Sequence, residues 1–160
     1  MLKMEFNTLS KKNQLNLIIG SSKRKKYLKI KCLKLWAAIV KERAGYKCEF
    51  PGCSKSSKYG YKMDAHHFIS RGASVALKYD VENGVCLCFI HHMRGIDSAH
   101  GGVNFAAKFI GMTKKHLQMN KRYNENWFNK LELKAQSTGQ LDLELEYLYL
   151  KNEAKKYNIC

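Results

Sequence analysis

The sequence has few acidic residues and no long apolar run. The sequence has only 13 Asp and Glu residues but 29 Lys and Arg residues, which gives a formal net charge of +16. The longest apolar stretches, such as residues 15–19, are too short to span a bilayer. Because Lys11, Lys12 and Asn13 interrupt the first apolar stretch, we expect no signal peptide. We therefore expect a cytoplasmic protein of a bacterial or phage-infected cell, with no membrane contact.

The excess of positive charge indicates a polyanionic partner. A membrane-surface protein would need a basic helix with an aromatic face, whereas residues 141–157 carry acids among their leucines. We therefore expect DNA as the partner, held mostly through its backbone. A basic run is the first candidate for phosphate contact, although a solvated tail that touches nothing is an equal alternative. It contains Lys23, Arg24, Lys25 and Lys26.

Length and hydrophobic content predict one compact domain with extensions. The expected parts are a basic arm at residues 1–30 with at most a short helix, a core at 31–112 and a helical extension at 113–160. Apolar residues at helical spacing predict a helix over Leu28–Arg43 that contributes Trp36 to the core. Further helices are expected near residues 105–112, 127–133 and 141–157, the last capped by Ser137 or Thr138.

The middle of the chain predicts strands instead. Residues 63–69 and 84–87 are short enough for two strands, and residues 89–96 for one or two helical turns. A polar loop at residues 70–83 separates the strands. Together with the flanking helices, this order predicts an α+β fold.

Four Cys and His residues are paired at short spacing in this region. They are Cys48, Cys53, Cys88 and His91. In a reducing compartment such pairs hold metal more often than they form disulfides, and two pairs fill the four positions of structural zinc. Cys86 competes with Cys88, but Cys88 has the tighter spacing to His91. We expect Cys86 to be a small buried side chain.

A second set of residues suits phosphodiester hydrolysis. That reaction needs a cation on the phosphate and a base that deprotonates the attacking water. The sequence offers Asp64-Ala-His66-His67-Phe68, then Asn83, and then His92. Adjacent histidines followed by one on a later helix can supply both requirements.

These residues resemble the HNH family of nucleases, from about residue 36 to residue 109. The string Asn83-Gly-Val-Cys-Leu-Cys88-Phe-Ile-His91-His92 is similar to the second half of that motif, and the sequence also looks similar to phage-encoded members. The resemblance implies a ββα-metal core stapled by zinc. It also implies an endonuclease that cuts DNA with one Mg²⁺ or Mn²⁺ ion.

The resemblance also implies residue roles. His66 and His92 would be ligands of the catalytic cation, and His67 would be the general base. Asn83 would brace the loop between the strands and so orient His67. Arg71 suits a contact to phosphate.

The sequence departs from the family pattern in two respects. The first cysteine pair is spaced by four residues rather than two, and Ile96 stands where a third metal-binding His is usual. His100 or Asp97 could complete the cation shell. Because neighbouring side chains of a strand face opposite ways, His66 and His67 share a site only if the strand ends or twists there. The alternative function is a zinc-stabilised DNA-binding or recombination accessory module that does not cut.

Overall fold

The computed structural model describes residues 11–102, 105–115, 122–123 and 125–159. Its helices are α1 (Lys11–Arg43), α2 (Phe105–Lys115), α3 (Glu125–Ala135) and α4 (Leu143–Lys155). Its strands are β1 (Met63–His67) and β2 (Gly84–Cys88), and one π-helical turn spans Ile90–Arg94. The expected α+β class is confirmed. Within the described residues, none of the helices combines the length and apolar character needed to cross a membrane.

Helix α1 is longer than the sequence predicted. Its C-terminal half buries Leu28, Cys32 and Trp36 on one face, and Gly45 at φ 57° follows its end. The expectation of a basic arm with at most a short helix is wrong for residues 11–30, which continue the same helix. Lys, Leu and Arg are good helix formers, so the Gly20-Ser21-Ser22 step does not interrupt a helix whose later turns are anchored. Residues 1–10 lie outside the described part.

The two strands form an antiparallel pair against α1. The register runs from Met63 opposite Cys88 to His67 opposite Gly84. A Cβ atom on Gly84 would lie 2.1 Å from Cγ2 of Val40 and 3.1 Å from the indole of Trp36. Glycine is therefore required where α1 crosses the sheet.

Asn83 closes the loop between the strands. Its side chain is fully buried, and its Nδ2 donates to the carbonyls of Ile69 and Leu77 at 2.8 and 3.2 Å. Its Oδ1 accepts from the Ile69 amide at 2.8 Å. The brace predicted for Asn83 is present, and it fixes the backbone that follows β1.

Helix α4 packs along α1 and buries Leu150 and Ala154. Its N-cap is Asp142, whose side chain accepts hydrogen bonds from the amides of Glu144 and Leu145. The Ser137 or Thr138 cap predicted from the sequence is therefore wrong. The helix begins five residues after Thr138, where a carboxylate can reach two free amide groups.

Candidate metal centres

The first candidate centre joins the two Cys and His pairs. The donor atoms of Cys48, Cys53, Cys88 and His91 all lie within 4.8 Å of one another. The Nδ1 atom of His91 is 3.4 Å from the sulfur atoms of both Cys48 and Cys88. This group is close enough to bind a metal such as zinc, with the ligand set that the sequence predicted.

The surroundings of this centre suit a cation. Burial raises the pKa of the Cys48 thiol, so a thiolate there needs a positive charge to compensate it. Phe50 stacks on the His91 ring at 4.1 Å between centroids and so fixes its plane. Cys86 lies outside the group and is fully buried in the core, as expected.

The second candidate centre consists of three imidazoles. The donor atoms of His66, His92 and His100 also lie within 4.8 Å of one another. The ring centroids are 5.5 Å apart for His66 and His92, 5.0 Å for His66 and His100, and 4.9 Å for His92 and His100. The structure thus brings His100 into the group, whereas Asp97 forms an ion pair with Lys108.

Two of these imidazoles, those of His66 and His92, are kept neutral and can therefore bind a metal. Burial, followed by the nearby His100 and His92, lowers the pKa of His66 to about 3. Burial also lowers the pKa of His92. A neutral ring offers a lone pair, so the cluster can bind a cation near neutral pH.

A carboxylate lies behind one of the rings. Oδ2 of Asp64 is 3.4 Å from Nδ1 of His92, at the outer limit of hydrogen-bond distance. This contact leaves Nε2 of His92 as the ligand atom. Carboxylates placed in this way orient ligand histidines in metal sites. Asp64 had no predicted role, although strand alternation places it on the same face as His66.

The turn between His92 and His100 is closed by backbone hydrogen bonds. The amide of His100 donates to the carbonyl of His92 at 3.1 Å, and the amide of Ala99 donates to that of His91 at 2.8 Å. Buried Ser98 accepts from the Gly101 amide through its hydroxyl. Within this turn, His91 belongs to the cysteine centre and His92 to the histidine centre.

His67 does not join the histidine cluster. Its ring stacks on Trp36, with centroids 3.7 Å apart and planes inclined by 12°. The expectation that the rings of His66, His67 and His92 would converge on one cation is therefore wrong for His67. Residue 67 still belongs to β1, and its ring lies against Trp36 of α1 rather than among the three possible ligands. It is nevertheless near enough to His66 to contribute to lowering the pKa of that ring.

The hydrogen bonds of His67 define its tautomer. Nε2 lies 2.8 Å from the carbonyl oxygen of Lys78, which can only accept, so Nε2 carries the proton. Burial lowers the pKa of His67 to about 4, which keeps the ring neutral. Among the described buried polar side-chain atoms, only Arg43 Nε and Ser74 Oγ have no partner. The Nδ1 atom, which accepts no hydrogen bond from the described residues, therefore reaches solvent.

The residues predicted to contact DNA lie on the surface. Arg71 is exposed in the loop after β1, near enough to His67 to contribute to lowering its pKa. The residues of the basic run are exposed on α1, in the turns where α4 begins alongside. Arg24 pairs with Glu144 of α4, which leaves Lys23, Lys25 and Lys26 as the cations more open to a partner.

Comparisons of this chain with protein-family models, with curated proteins and with solved structures find no significant match.

Proposed function

We propose that this protein is a metal-dependent DNA endonuclease of the HNH type. The observation that carries the proposal is the cluster of His66, His92 and His100 on one side of the strand pair, with His67 next in the chain. Three imidazoles at this spacing would form an open cation site, unlike the complete four-ligand group of the cysteine centre. Zinc in the cysteine centre would hold the backbone on which the histidine site is built.

The ligand chemistry favours one class of cation. Mg²⁺ prefers oxygen ligands, whereas imidazole suits zinc, copper, iron and nickel. Of the two ions implied by the resemblance, Mn²⁺ belongs to the same first-row transition series and accepts imidazole ligands more readily than Mg²⁺ does. A bound cation would polarise the phosphate and stabilise the leaving oxygen.

The residues around the cluster supply the remaining chemistry. His67 has its proton on Nε2 and a free lone pair on Nδ1, which is the state required of a general base. Trp36 and the Lys78 carbonyl hold the ring, so it does not lose orientation when it accepts a proton. By the HNH resemblance, attack by water would leave a 5′-phosphate and a 3′-hydroxyl.

The charge distribution supports a DNA substrate. The formal net charge is +16, and exposed cations lie on α1 and in the loop after β1. Arg71, close to His67, can contact the phosphate that is attacked. Lys25 and Lys26 can contact more distant phosphates without selecting a sequence.

The test is cleavage of supercoiled plasmid with Mg²⁺ or Mn²⁺, with and without a chelator. His100→Ala removes a ring from the cluster and should reduce cleavage at least about 100-fold. Asp97→Asn is the matched control, because Asp97 lies on the same turn but pairs with Lys108. Full cleavage by His100→Ala would contradict the proposed site. Binding of plasmid by the wild-type protein without cleavage in either metal would favour the accessory module.

A further inference from the structure

The segment that carries the first cysteine pair also carries exposed tyrosines. Tyr46, Tyr59 and Tyr61 keep 36, 69 and 45% of their surface exposed. Single exposed apolar side chains are common, whereas several of them on one short segment can mark an interaction site. We call residues 46–62 the tyrosine segment.

The same segment is rich in lysine. Lys47, Lys55, Lys58 and Lys62 alternate with the tyrosines, and residues 54–62 contain no Asp or Glu. The one acid of the segment, Glu49, is turned inward, where it accepts a hydrogen bond from the Cys86 amide. The amino group of Lys55 lies 5.4 Å from the centre of the Tyr61 ring. The exposed face therefore combines aromatic rings with positive charge.

The backbone under these rings is fixed. The Cys48 amide donates to the Lys55 carbonyl and the Ser57 amide to that of Tyr46, both at 2.9 Å. A short 3₁₀ turn at Ser57–Tyr59 ends at Gly60, whose φ of 78° reverses the chain. Tyr59 and Tyr61 are thus presented by a rigid loop rather than a mobile one, which reduces the entropy lost on binding.

A basic cleft adjoins this face. Its volume is about 810 Å³, and its lining includes Lys47, Lys58 and Tyr59. Lysine ammonium groups in such a cleft attract phosphate oxygens.

We propose that the tyrosine segment is a stacking platform for unpaired bases of a nucleic acid. A base in a duplex already stacks on its neighbours, so only an unpaired base offers a free face to Tyr59 or Tyr61. The lysines between the rings neutralise the phosphates of the same strand. The combination of aromatic faces and cations therefore selects a single strand over a duplex.

The platform is continuous with the histidine cluster. Nζ of Lys62 lies 3.6 Å from Oδ1 of Asp64, and Oδ2 of Asp64 lies 3.4 Å from His92. A strand held on the platform is thus delivered next to the cation site. This step rests on the proposed nuclease function, and it gives the substrate class as DNA in which an unpaired segment adjoins the cut.

The test measures binding rather than cleavage, without added divalent metal. A labelled oligothymidylate of about 15 nucleotides is compared with a duplex of equal length by fluorescence anisotropy. Replacing both tyrosines, Tyr59→Ala with Tyr61→Ala, should weaken single-strand binding about 10- to 100-fold. Duplex binding should change less than about twofold, because duplex contacts are to phosphate.

Two control proteins isolate stacking from other effects. Tyr59→Phe with Tyr61→Phe keeps both ring faces and should bind as the wild type does. Tyr27→Ala removes a tyrosine that is 55% exposed on basic α1 and has Lys31 near its ring, and it should also bind normally. Zinc content and circular dichroism of each variant establish that the segment is still folded.

Three results would overturn the platform. They are unchanged single-strand binding by the double alanine variant, an equal loss on the duplex, and an equal loss in Tyr27→Ala. The nuclease proposal fails separately. If the wild-type protein binds single strands through Tyr59 and Tyr61 but cuts no DNA, the platform is supported and the nuclease activity is not.

Discussion

The indole of Trp36 lies parallel to the imidazole of His67, with 3.7 Å between the ring centroids. This contact joins the C-terminal half of α1 to the end of β1. Trp36 is itself held, because its Nε1 donates to the Asp80 carbonyl at 2.8 Å. The position of a proposed catalytic nitrogen is therefore determined by the helix that forms the core.

Replacing His67 should alter how stability depends on pH. Because burial lowers the folded-state pKa to about 4 from an ordinary 6.5, the unfolded chain binds the proton more readily. The stabilisation from the neutral ring is complete above pH 6.5 and decreases as the pH falls to about 4. His67→Gln can still donate to Lys78 but does not titrate. Relative to this variant, the wild type should therefore lose about 1 kcal/mol in the free energy of unfolding as the pH falls from 6.5 to about 4. This figure allows for screening by water.

Urea unfolding at several pH values measures this difference. Because both proteins keep the same metal ligands, acid-driven loss of metal affects them alike. A difference that stays constant between pH 7 and pH 4 would contradict the burial argument.

Replacing Asp64 should weaken metal binding to the histidine cluster. Asp64→Asn removes the charge that faces Nδ1 of His92, and loss of such a carboxylate typically lowers metal affinity about 10- to 100-fold. Titration with Mn²⁺ or Zn²⁺ of protein whose cysteine centre is already filled measures the effect. Lys62→Ala is the control, because Lys62 contacts Asp64 from the exposed side and should leave affinity nearly unchanged. Equal affinity in Asp64→Asn and wild type would show that the carboxylate does not orient the ring.

Adding one methyl group at position 84 should destabilise the core. In Gly84→Ala the new carbon would lie 2.1 Å from Val40 Cγ2, so α1 and β2 must separate. Overpacking of this kind costs about 1–3 kcal/mol in the free energy of unfolding. Gly111→Ala on α2 has open space around it and should be neutral or stabilising by up to about 1 kcal/mol. Denaturant unfolding measures the stability of both variants. Equal stabilities would contradict the packing argument.

Removing a ligand of the cysteine centre should cost both zinc and stability. Cys53→Ala leaves three of the four ligands, and the bound ion should fall well below one per chain. The free energy of unfolding should fall by several kcal/mol, because structural zinc contributes directly to folding. Cys86→Ala, a buried thiol outside the centre, should keep its zinc and lose only about 1–2 kcal/mol. Elemental analysis and thermal unfolding distinguish the two variants, and loss of zinc in Cys86→Ala alone would reverse the ligand assignment.

The sequence was most informative where a site is built from close neighbours in the chain. The spacing of Cys88 and His91 is set by one turn of backbone, so the cysteine centre was predicted with the ligands that the structure brings together. Both strands and the helices after residue 105 also followed from local patterns. Their ends differ by a few residues, because caps such as Asp142 depend on local geometry.

The sequence was least informative where contacts join distant residues. The stack of Trp36 on His67 and the approach of Asp64 to His92 depend on how α1 and the turn at Ile90–Arg94 pack on the sheet. Spacing alone left His100 and Asp97 as alternatives. The hydrogen-bonded turn between His92 and His100 resolves this choice, because it brings His100 back beside His92. The sequence did not predict the first turns of α1. Whether the helix extends through them depends on the packed C-terminal half of α1 and not on the polar residues of these turns.

His91 and His92 are separated by a single peptide bond, yet each belongs to a different candidate centre. An ion in the cysteine centre would restrain the backbone of residue 91 and so reduce the conformational freedom that residue 92 must lose on binding a second ion. The two occupancies are then thermodynamically linked, and each ion increases the affinity for the other by the same factor. Depletion of the metal from the cysteine centre would therefore also weaken metal binding at the proposed catalytic site.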